Sequence, residues 1–423
     1  MDIEKQKAHE LVDRGRCVKQ GDGTWLVYSL SSPKRYKVTL FGQHPETGAQ
    51  TYHACTCPTF ELRQDTCKHI RACLAIVHGR EPRDGAADDA PVSRKRPTYR
   101  QPDWAAYTEA QCNEKLEFLA LLSDLCAGIT EPQRESMRGR PPVPLAAQVF
   151  GACFKVYTGL SGRRFMTDMR QANESGYVDE AVHFNAIARF FEEEKNAGLL
   201  KAIVNASALP LKALETKFAA DSTGFSGSRF ARWYDRKYGR MQAEHVWCKA
   251  HAMVGTLTNC ITAAEVLDED TADSPQLAPL VKKTAVGFKI EEVSADKAYS
   301  AAENFDIVGE FGGTLYAAFK VNATGGVGGR FQDMYHRFCL AKDDYLRRYH
   351  LRSNAESSFS AVKRLFGDSV RSRTNIAMRN EVYAKFICYN LTCVIHTAYE
   401  LGIWPSAFSS KLEPELKILK FPG

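Results

Sequence analysis

The sequence has no long apolar run. No stretch of its 423 residues approaches the roughly 18 to 20 apolar residues that a helix needs to cross a bilayer. The first residues, Met-Asp-Ile-Glu-Lys, do not follow a signal-peptide pattern either. We therefore expect a cytoplasmic protein without a membrane partner.

The sequence also lacks a disulfide framework and an extreme charge. Its 13 cysteines are odd in number and spread along the chain, whereas disulfide-rich secreted proteins concentrate paired cysteines in a short sequence. Metal ligands and free buried thiols are therefore their expected roles. The net charge is only +6, and 44% hydrophobic with 25% charged residues is the composition of a folded protein with room for two or three domains.

Basic charge is concentrated in one late segment. Residues 341–380 hold nine lysines and arginines against four acids, a local balance of +5. Glu356 lies within this segment. A carboxylate in such basic surroundings indicates a polyanionic partner, with nucleic acid as the first candidate.

The residues around Glu356 have helical spacing. Tyr349, Arg352, Glu356 and Lys363 fall within roughly a 60° arc of one continuous helix. Apolar residues recur on the adjoining face, at Leu351, Ala355, Phe359, Val362 and Phe366. We expect a single helix that packs its apolar side on a core and presents the polar row at the edge.

Near the start of the chain, four metal-ligand residues follow a predicted antiparallel sheet. Short β-branched and aromatic stretches predict strands at 24–30, 35–41 and about 50–55. Cys55 and Cys57 come next, then nine residues, then Cys67 and His69 at the head of an apolar helix that reaches residue 77.

Two thiolates two residues apart in an extended segment point to the same side, and the Cys-x-His pair can close a tetrahedron around one Zn²⁺. Free cysteines in a small core are the alternative. The spacing over residues 15–78 resembles the SWIM zinc finger, a module associated with DNA binding and protein interaction.

The middle of the chain is predicted to be a linker followed by helices. Residues 79–103 are rich in Pro, Gly, Asp and Ala, with a basic Ser-Arg-Lys-Arg stretch, and predict a flexible tether. Helical apolar spacing follows at 104–126, 145–158, 162–172 and 181–195.

Two patterns in this helical region favour DNA contact, each with a plainer alternative. Arg138-Gly-Arg140-Pro-Pro looks like the core of an AT-hook, whose arginines enter a narrow minor groove, or it is an exposed linker. The helices after residue 145 form either a helix-turn-helix variant or an ordinary packing unit. In the first case the DNA-facing residues are Arg163, Arg164, Asn185 and Arg189.

Beyond residue 209 the pattern changes to strands. They are predicted at 217–220, 245–254, 260–267, 288–295 and 314–321, with helices between and after them. This order predicts an α/β fold, a mixed sheet with flanking helices.

Three acids in this part of the chain are candidates for a shared site. Asp221 and Asp296 follow predicted strands, and Glu356 lies on the late basic helix. Taken singly, the aspartates could cap turns or helices, and Glu356 could offset Arg352 one turn earlier. A mixed sheet could instead bring all three together.

Three blocks of the sequence carry these acids: Asp221-Ser-Thr-Gly224, Ala295-Asp-Lys-Ala-Tyr299 and Tyr349-x2-Arg352-x3-Glu356-x6-Lys363. They resemble the motif blocks of bacterial insertion-sequence transposases of the DDE class, which have an RNase H-like core. Shorter blocks agree: Lys249-Ala-His251, Asp273-Ser-Pro-Gln-Leu277 and the stretch from Glu381 to Leu391. The resemblance covers roughly residues 138–395. Most such enzymes lack an appended SWIM-like finger, so the resemblance does not indicate what that finger contacts.

The resemblance implies a site and a reaction. Asp221, Asp296 and Glu356 would hold two Mg²⁺ ions about 3.5 to 4 Å apart, a pair that activates an attacking water or 3′-hydroxyl and stabilises the leaving oxygen. Arg352 and Lys363 would contact phosphates, and Tyr349 would supply a phenol. The enzyme would cut the ends of an insertion sequence and join the freed 3′ ends to target DNA.

The resulting expectation is a zinc module (1–78), a linker (79–103), a helical DNA-binding region (104–208) and an RNase H-like catalytic domain (209–423). The partners would be double-stranded DNA, as terminal inverted repeats and target, and further copies of the chain on that DNA, close to the nucleoid. Two other functions share these features: a regulator descended from a transposase that has lost the chemistry, and an RNase H-like nuclease without joining activity.

Overall fold

The computed structural model describes residues 3–21, 23–30, 34–42, 52–58, 60, 66–79, 103–131, 141–227, 247–320 and 323–402. They belong to two compact units, residues 1–101 and 102–423. The predicted linker falls almost entirely outside the described residues, as do Arg138 and Arg140.

In its described residues, the first unit is a small sheet with two helices. Strands β1 (Cys17–Gly21), β2 (Thr24–Tyr28), β3 (Arg35–Gly42) and β4 (Tyr52–Cys55) pair antiparallel in that order. Helices α1 (Ile3–Asp13) and α2 (Lys68–Val77) enclose its core with the buried face of the sheet, which includes Trp25 and Val27. The alternation of buried and half-exposed residues along β2 is that of a sheet covered on one face.

The second unit begins with helices. They are α3 (Trp104–Ala127), α4 (Leu145–Thr158), α5 (Gly162–Glu174), α6 (Phe184–Glu192) and α7 (Asn196–Ala208). Asp103 starts α3 by accepting hydrogen bonds from the backbone N–H groups of the next turn, and Gly159 ends α4 in the left-handed conformation, with φ of 62°. The structure thus has helices in all four predicted helical ranges.

A five-stranded mixed sheet follows, in the order β7-β6-β5-β8-β9. The strands are β5 (Lys217–Ser226), β6 (Trp247–Gly255), β7 (Ile261–Asp268), β8 (Glu292–Ala295) and β9 (Thr314–Ala317). β5, β6 and β7 form antiparallel pairs, whereas β8 runs parallel to both β5 and β9. This arrangement confirms the predicted α/β fold, an RNase H-like mixed sheet preceded by a helical region and a small Cys/His module.

Helices flank this sheet and share its core with the helical region. They are α8 (Leu277–Gly287), α9 (Ala302–Glu310), α10 (Gly329–Leu340), α11 (Lys342–Tyr349), α12 (Ser353–Phe366) and α13 (Asn375–Leu401). Among the helices that the structure describes, none has the length and apolar character needed to cross a membrane.

Three predicted strand ranges need correction. β5 continues to Ser226 because β6 pairs along its whole length, so Asp221 lies inside a strand and not at its end. β8 begins only at Glu292, since Phe288 still caps α8. β9 ends at Ala317 because β8 offers its neighbour no partner beyond Ala295.

The prediction of a single helix through Tyr349 and Lys363 is wrong. α11 ends at Tyr349, a 3₁₀ turn spans His350–Arg352, and α12 begins at Ser353. The carbonyl oxygen of Arg348 accepts a hydrogen bond from the Ser294 hydroxyl of β8, 2.9 Å away, which ties the end of α11 to the sheet. A helical projection contains no information about such a tertiary contact.

Helix α13 joins the two halves of the second unit. Asn380 donates to the carbonyl oxygens of Phe191 and Glu193 in the helical region. Asn390 accepts from the N–H of Ile261 and donates to its carbonyl, both at 2.7 Å. Because Ile261 starts β7, the edge strand, the Asn390 amide takes the place of a neighbouring strand there.

Candidate active site and metal centre

Asp221 and Asp296 occupy equivalent positions on neighbouring parallel strands. Ala220 of β5 pairs with Ala295 of β8, and an aspartate follows each alanine. Adjacent strands lie about 4.8 Å apart, so the sheet places the two carboxylates side by side. Burial raises the pKa of Asp221, and the charges of Glu356 and Asp296 raise it further, while the Ser222 N–H and Arg352 oppose them.

Arg352 connects Asp221 to Glu356. Its Nη1 is 2.9 Å from Oε1 of Glu356 and 3.9 Å from Oδ2 of Asp221. Glu356 lies in the first turn of α12, and 56% of its side chain is exposed. The guanidinium therefore supplies positive charge between two carboxylates that would otherwise repel each other.

Tyr349 and Lys363 lie at the same site. The Tyr349 hydroxyl is 3.5 Å from Oδ1 of Asp296, at the outer limit of a hydrogen bond, and Arg352 lies over its ring. Lys363 donates to Thr223 Oγ1 at 2.7 Å. Because alternate residues of a strand share a face, Thr223 lies on the same face of β5 as Asp221. The fold thus collects all six residues, although the predicted helix is broken.

The donor chemistry of the three acids suits Mg²⁺, which prefers oxygen ligands led by carboxylates. The guanidinium of Arg352 also marks a place where positive charge is favourable. Within the described ranges, however, the carboxylate oxygens of Asp221, Asp296 and Glu356 do not all lie within 4.8 Å of one another. For Glu356 to join the aspartates around a cation, its side chain would have to give up its contact with Arg352 for one with the cation.

A buried polar cluster lies behind Asp296. His251 pairs with Ser222, the residue after Asp221, and so points to the opposite face of the sheet. Its Nδ1 is 3.4 Å from both Asp273 Oδ1 and the Tyr299 hydroxyl, and Lys249 Nζ is 2.7 Å from the same Asp273 oxygen. Burial lowers the pKa of His251 to about 4, so its imidazole is neutral at pH 7.

This cluster supports the 3₁₀ turn Lys297–Tyr299 that follows Asp296. Asn304 adds a hydrogen bond to the Tyr299 carbonyl at 2.9 Å and another to Ser274 Oγ at 3.0 Å. Two of the short blocks that support the family resemblance are therefore in contact. The sequence showed both blocks but not that they touch, since the contacts join residues that are distant in the chain.

The first unit holds a separate Cys/His cluster. Cys55, Cys57, Cys67 and His69 are all buried, and their ligand atoms lie within 4.8 Å of one another. Nδ1 of His69 is 3.8 Å from Sγ of both Cys55 and Cys67. A tetrahedral zinc site with Zn–S bonds near 2.3 Å has ligand-to-ligand edges of about 3.8 Å. The donor set and its spacing therefore fit one structural metal ion.

Of the two further groups of predicted DNA contacts, the structure describes one and not the other. Arg163, Arg164, Asn185 and Arg189 are exposed on α5 and α6, which pack against each other. Arg138 and Arg140 lie outside the described residues.

Part of the chain is similar to a known protein family. Residues 212–391 match the family described as the transposase DDE domain, and this range contains Asp221, Asp296 and Glu356. No curated protein sequence matches the chain. In structure the chain is similar to the piggyBac transposase in its synaptic complex with hairpin DNA, with 11% identity and a TM-score of 0.32 over 72% of this chain and 77% of that chain.

Proposed function

We propose that this chain is the transposase of an insertion sequence, which cleaves the ends of the element and transfers the 3′ ends into target DNA. The observation that carries the proposal is the pair Asp221 and Asp296 at equivalent positions of parallel strands, with Glu356 linked to Asp221 through Arg352. The match of residues 212–391 to the transposase DDE domain supports it.

Asp221, Asp296 and Glu356 would hold two Mg²⁺ ions, which would activate the attacking water or 3′-hydroxyl and stabilise the leaving oxygen. Arg352 and Lys363 bind phosphates beside the scissile bond. Tyr349 orients Asp296 through its hydroxyl. The cluster of His251, Asp273 and Tyr299 keeps the turn after Asp296 in place.

The partners are double-stranded DNA, namely the terminal inverted repeats and the target, and further copies of this chain on that DNA. Exposed Arg163, Arg164, Asn185 and Arg189 on α5 and α6 are suited to phosphate and base contacts. Arg138 and Arg140 would add minor-groove contacts of the AT-hook kind.

The Cys/His cluster binds one structural Zn²⁺, as in the SWIM finger that its spacing resembles. All four donors are protein side chains in a buried site, so no position remains for a reacting water.

The test uses a labelled duplex made from the DNA that flanks the coding region. Asp221→Asn, Asp296→Asn and Glu356→Gln should each bind this duplex like the unchanged protein. Their Mg²⁺-dependent cleavage should fall by more than the 10- to 100-fold typical of changes that only support metal ligands. Glu303→Gln, an exposed acid on α9, is the control and should cleave normally.

Two outcomes separate the proposal from its alternatives. Specific binding without any cleavage in Mg²⁺ would indicate a DNA-binding regulator. Cleavage without a strand-transfer product would indicate a nuclease that does not join DNA.

A further inference from the structure

The loop of residues 367–374, between α12 and α13, is attached to the strand that carries Asp221. Ser226, the last residue of β5, forms a parallel bridge with Ser369. The Ser226 N–H donates to the Asp368 carbonyl at 3.2 Å, and the Val370 N–H donates to the Ser226 carbonyl at 2.9 Å. The loop is therefore fixed relative to the candidate active site.

A buried lysine holds the first half of this loop. Lys385 of α13 is only 2% exposed, and its ammonium donates to the carbonyl oxygens of Gly367 and Ser369, both at 2.8 Å. It also lies over the ring of Phe225, 5.3 Å from the centroid. Lysine is almost never fully buried without such partners, so this one is committed to the loop backbone.

A buried glutamate holds the second half. Glu381, one helical turn before Lys385 and 4% exposed, accepts hydrogen bonds from the N–H groups of Arg371 and Ser372 at 2.9 and 2.8 Å. Four backbone groups of an eight-residue loop are thus bound by two buried charged side chains. Apolar side chains would fill the same space with a smaller desolvation penalty, so what the charges add is a defined loop conformation.

The loop exposes two arginines and one acid, Asp368. Arg371 and Arg373 are both exposed, and within the part of the chain that the structure describes neither forms an ion pair. Lys363 lies on the preceding helix, facing the active site. A guanidinium presents a fork of N–H donors that matches a phosphate, and free arginines beside a basic site are suited to a polyanionic backbone.

We propose that loop 367–374 binds the sugar-phosphate backbone of the DNA strand that enters the active site. Arg371 and Arg373 are its phosphate ligands, and Lys385 and Glu381 are positioning residues that hold the loop in its binding conformation. The identity of the partner rests on the proposed function, and the interaction does not depend on base sequence.

The first test measures the affinity for a labelled DNA duplex of arbitrary sequence at several salt concentrations. The logarithm of the association constant for DNA decreases linearly with the logarithm of the salt concentration, and removing one phosphate ligand should make this slope less steep by about 0.9. The slope of the double variant Arg371→Ala/Arg373→Ala should therefore be less steep by about two. The charge-matched control is Lys282→Ala/Lys289→Ala. Both lysines are exposed, on α8 and just before β8, and Lys289 lies at the end of β8 opposite Asp296. Equal affinity and slope for the two double variants would overturn the proposal.

The second test concerns the positioning residues. Lys385→Met should reproduce the decrease in slope, and adding it to the arginine double variant should cause no further decrease, because all three changes remove the same interaction with DNA. A purely structural role would give additive effects or leave the slope unchanged, and either result would refute the assignment of Lys385. If Lys385→Met does not fold, Glu381→Gln, which keeps the size of the side chain, serves for the same measurement.

Cleavage distinguishes failure of this proposal from failure of the proposed function. If the unchanged protein does not cleave in Mg²⁺ but the arginine variant no longer binds DNA, the loop is still a DNA site and the transposase assignment fails. If the protein cleaves and the arginine variant binds like the control, only the loop assignment fails.

Discussion

Asn390→Ala should be one of the most destabilising single changes in the second unit. Asn390 is fully buried on α13. Its amide bonds the N–H and the carbonyl of Ile261, the carbonyl of Val204 at 3.0 Å and Ser207 Oγ at 2.9 Å. Alanine leaves these groups buried without their amide partner.

The magnitude follows from the number of groups affected. A buried backbone group that loses its partner costs about 1–3 kcal/mol, and Ile261 loses partners for two such groups. We therefore expect a decrease of about 3–5 kcal/mol in the free energy of unfolding. Thr392→Ala is the matched control, because Thr392 is also buried on α13 and, among the described residues, its hydroxyl donates only to the Tyr389 carbonyl of its own helix. It should cost less than about 1 kcal/mol.

Two measurements check this prediction. Urea unfolding of the full chain gives the free-energy difference between the variants, and hydrogen exchange of peptides covering β7 reports whether the Ile261 amide has become less protected. If Asn390→Ala is no more destabilising than Thr392→Ala and β7 remains protected, then α13 does not supply the hydrogen bonds of the strand edge and the reasoning fails.

Three further predictions follow from single contacts. Burial lowers the pKa of Lys385 to about 8, while the unfolded chain keeps the ordinary value near 10.5. The unfolded state therefore binds more protons between these pH values, and stability should rise with pH by up to about 3 kcal/mol. Glu381, Asp368, Arg371 and Cys388 also face this lysine, so the measurement is the stability difference from Lys385→Met across that range, and a constant difference would contradict the assignment. Removing metal with a chelator, or the change Cys67→Ser, should unfold the first unit, since structural zinc contributes about 10–16 kcal/mol in zinc-finger peptides. In calorimetry the unfolding transition of the second unit should stay unchanged. If the transition of the first unit persists without metal, the metal has no structural role. Tyr349→Phe should slow cleavage by no more than about 10-fold, because the distance of 3.5 Å from the Tyr349 hydroxyl to Asp296 is long for a hydrogen bond. A larger decrease in the single-turnover cleavage rate would indicate that the hydroxyl contacts DNA directly.

The sequence predicted the fold class, and it predicted which residues the structure gathers at each candidate site, because these signals are local. The four Cys/His residues occur as two tight pairs, and the three acids occur in blocks with characteristic spacing. The structure adds what local patterns cannot contain. Asp221 and Asp296 are neighbours because Ala220 pairs with Ala295, and that register depends on how distant strands align.

Tertiary contacts also explain the errors. The helical projection placed Tyr349 on the same helix as Glu356, but the bond from Ser294 to the Arg348 carbonyl anchors α11 before the turn. The block from Glu381 to Leu391 was visible only as part of a family resemblance. Its residues prove to have separate physical roles, because Glu381 and Lys385 shape a loop whereas Asn390 completes the edge of a sheet.

The position of α13 in the chain has a consequence for synthesis on the ribosome. Every strand and helix that α13 covers is made before it, so the nascent second unit exposes the β7 edge and an open apolar core until residues 375–401 emerge. A chain interrupted before α13 would present an unpaired strand to other chains and be prone to aggregate. Premature termination should therefore yield insoluble fragments, not a shortened protein that stays in solution.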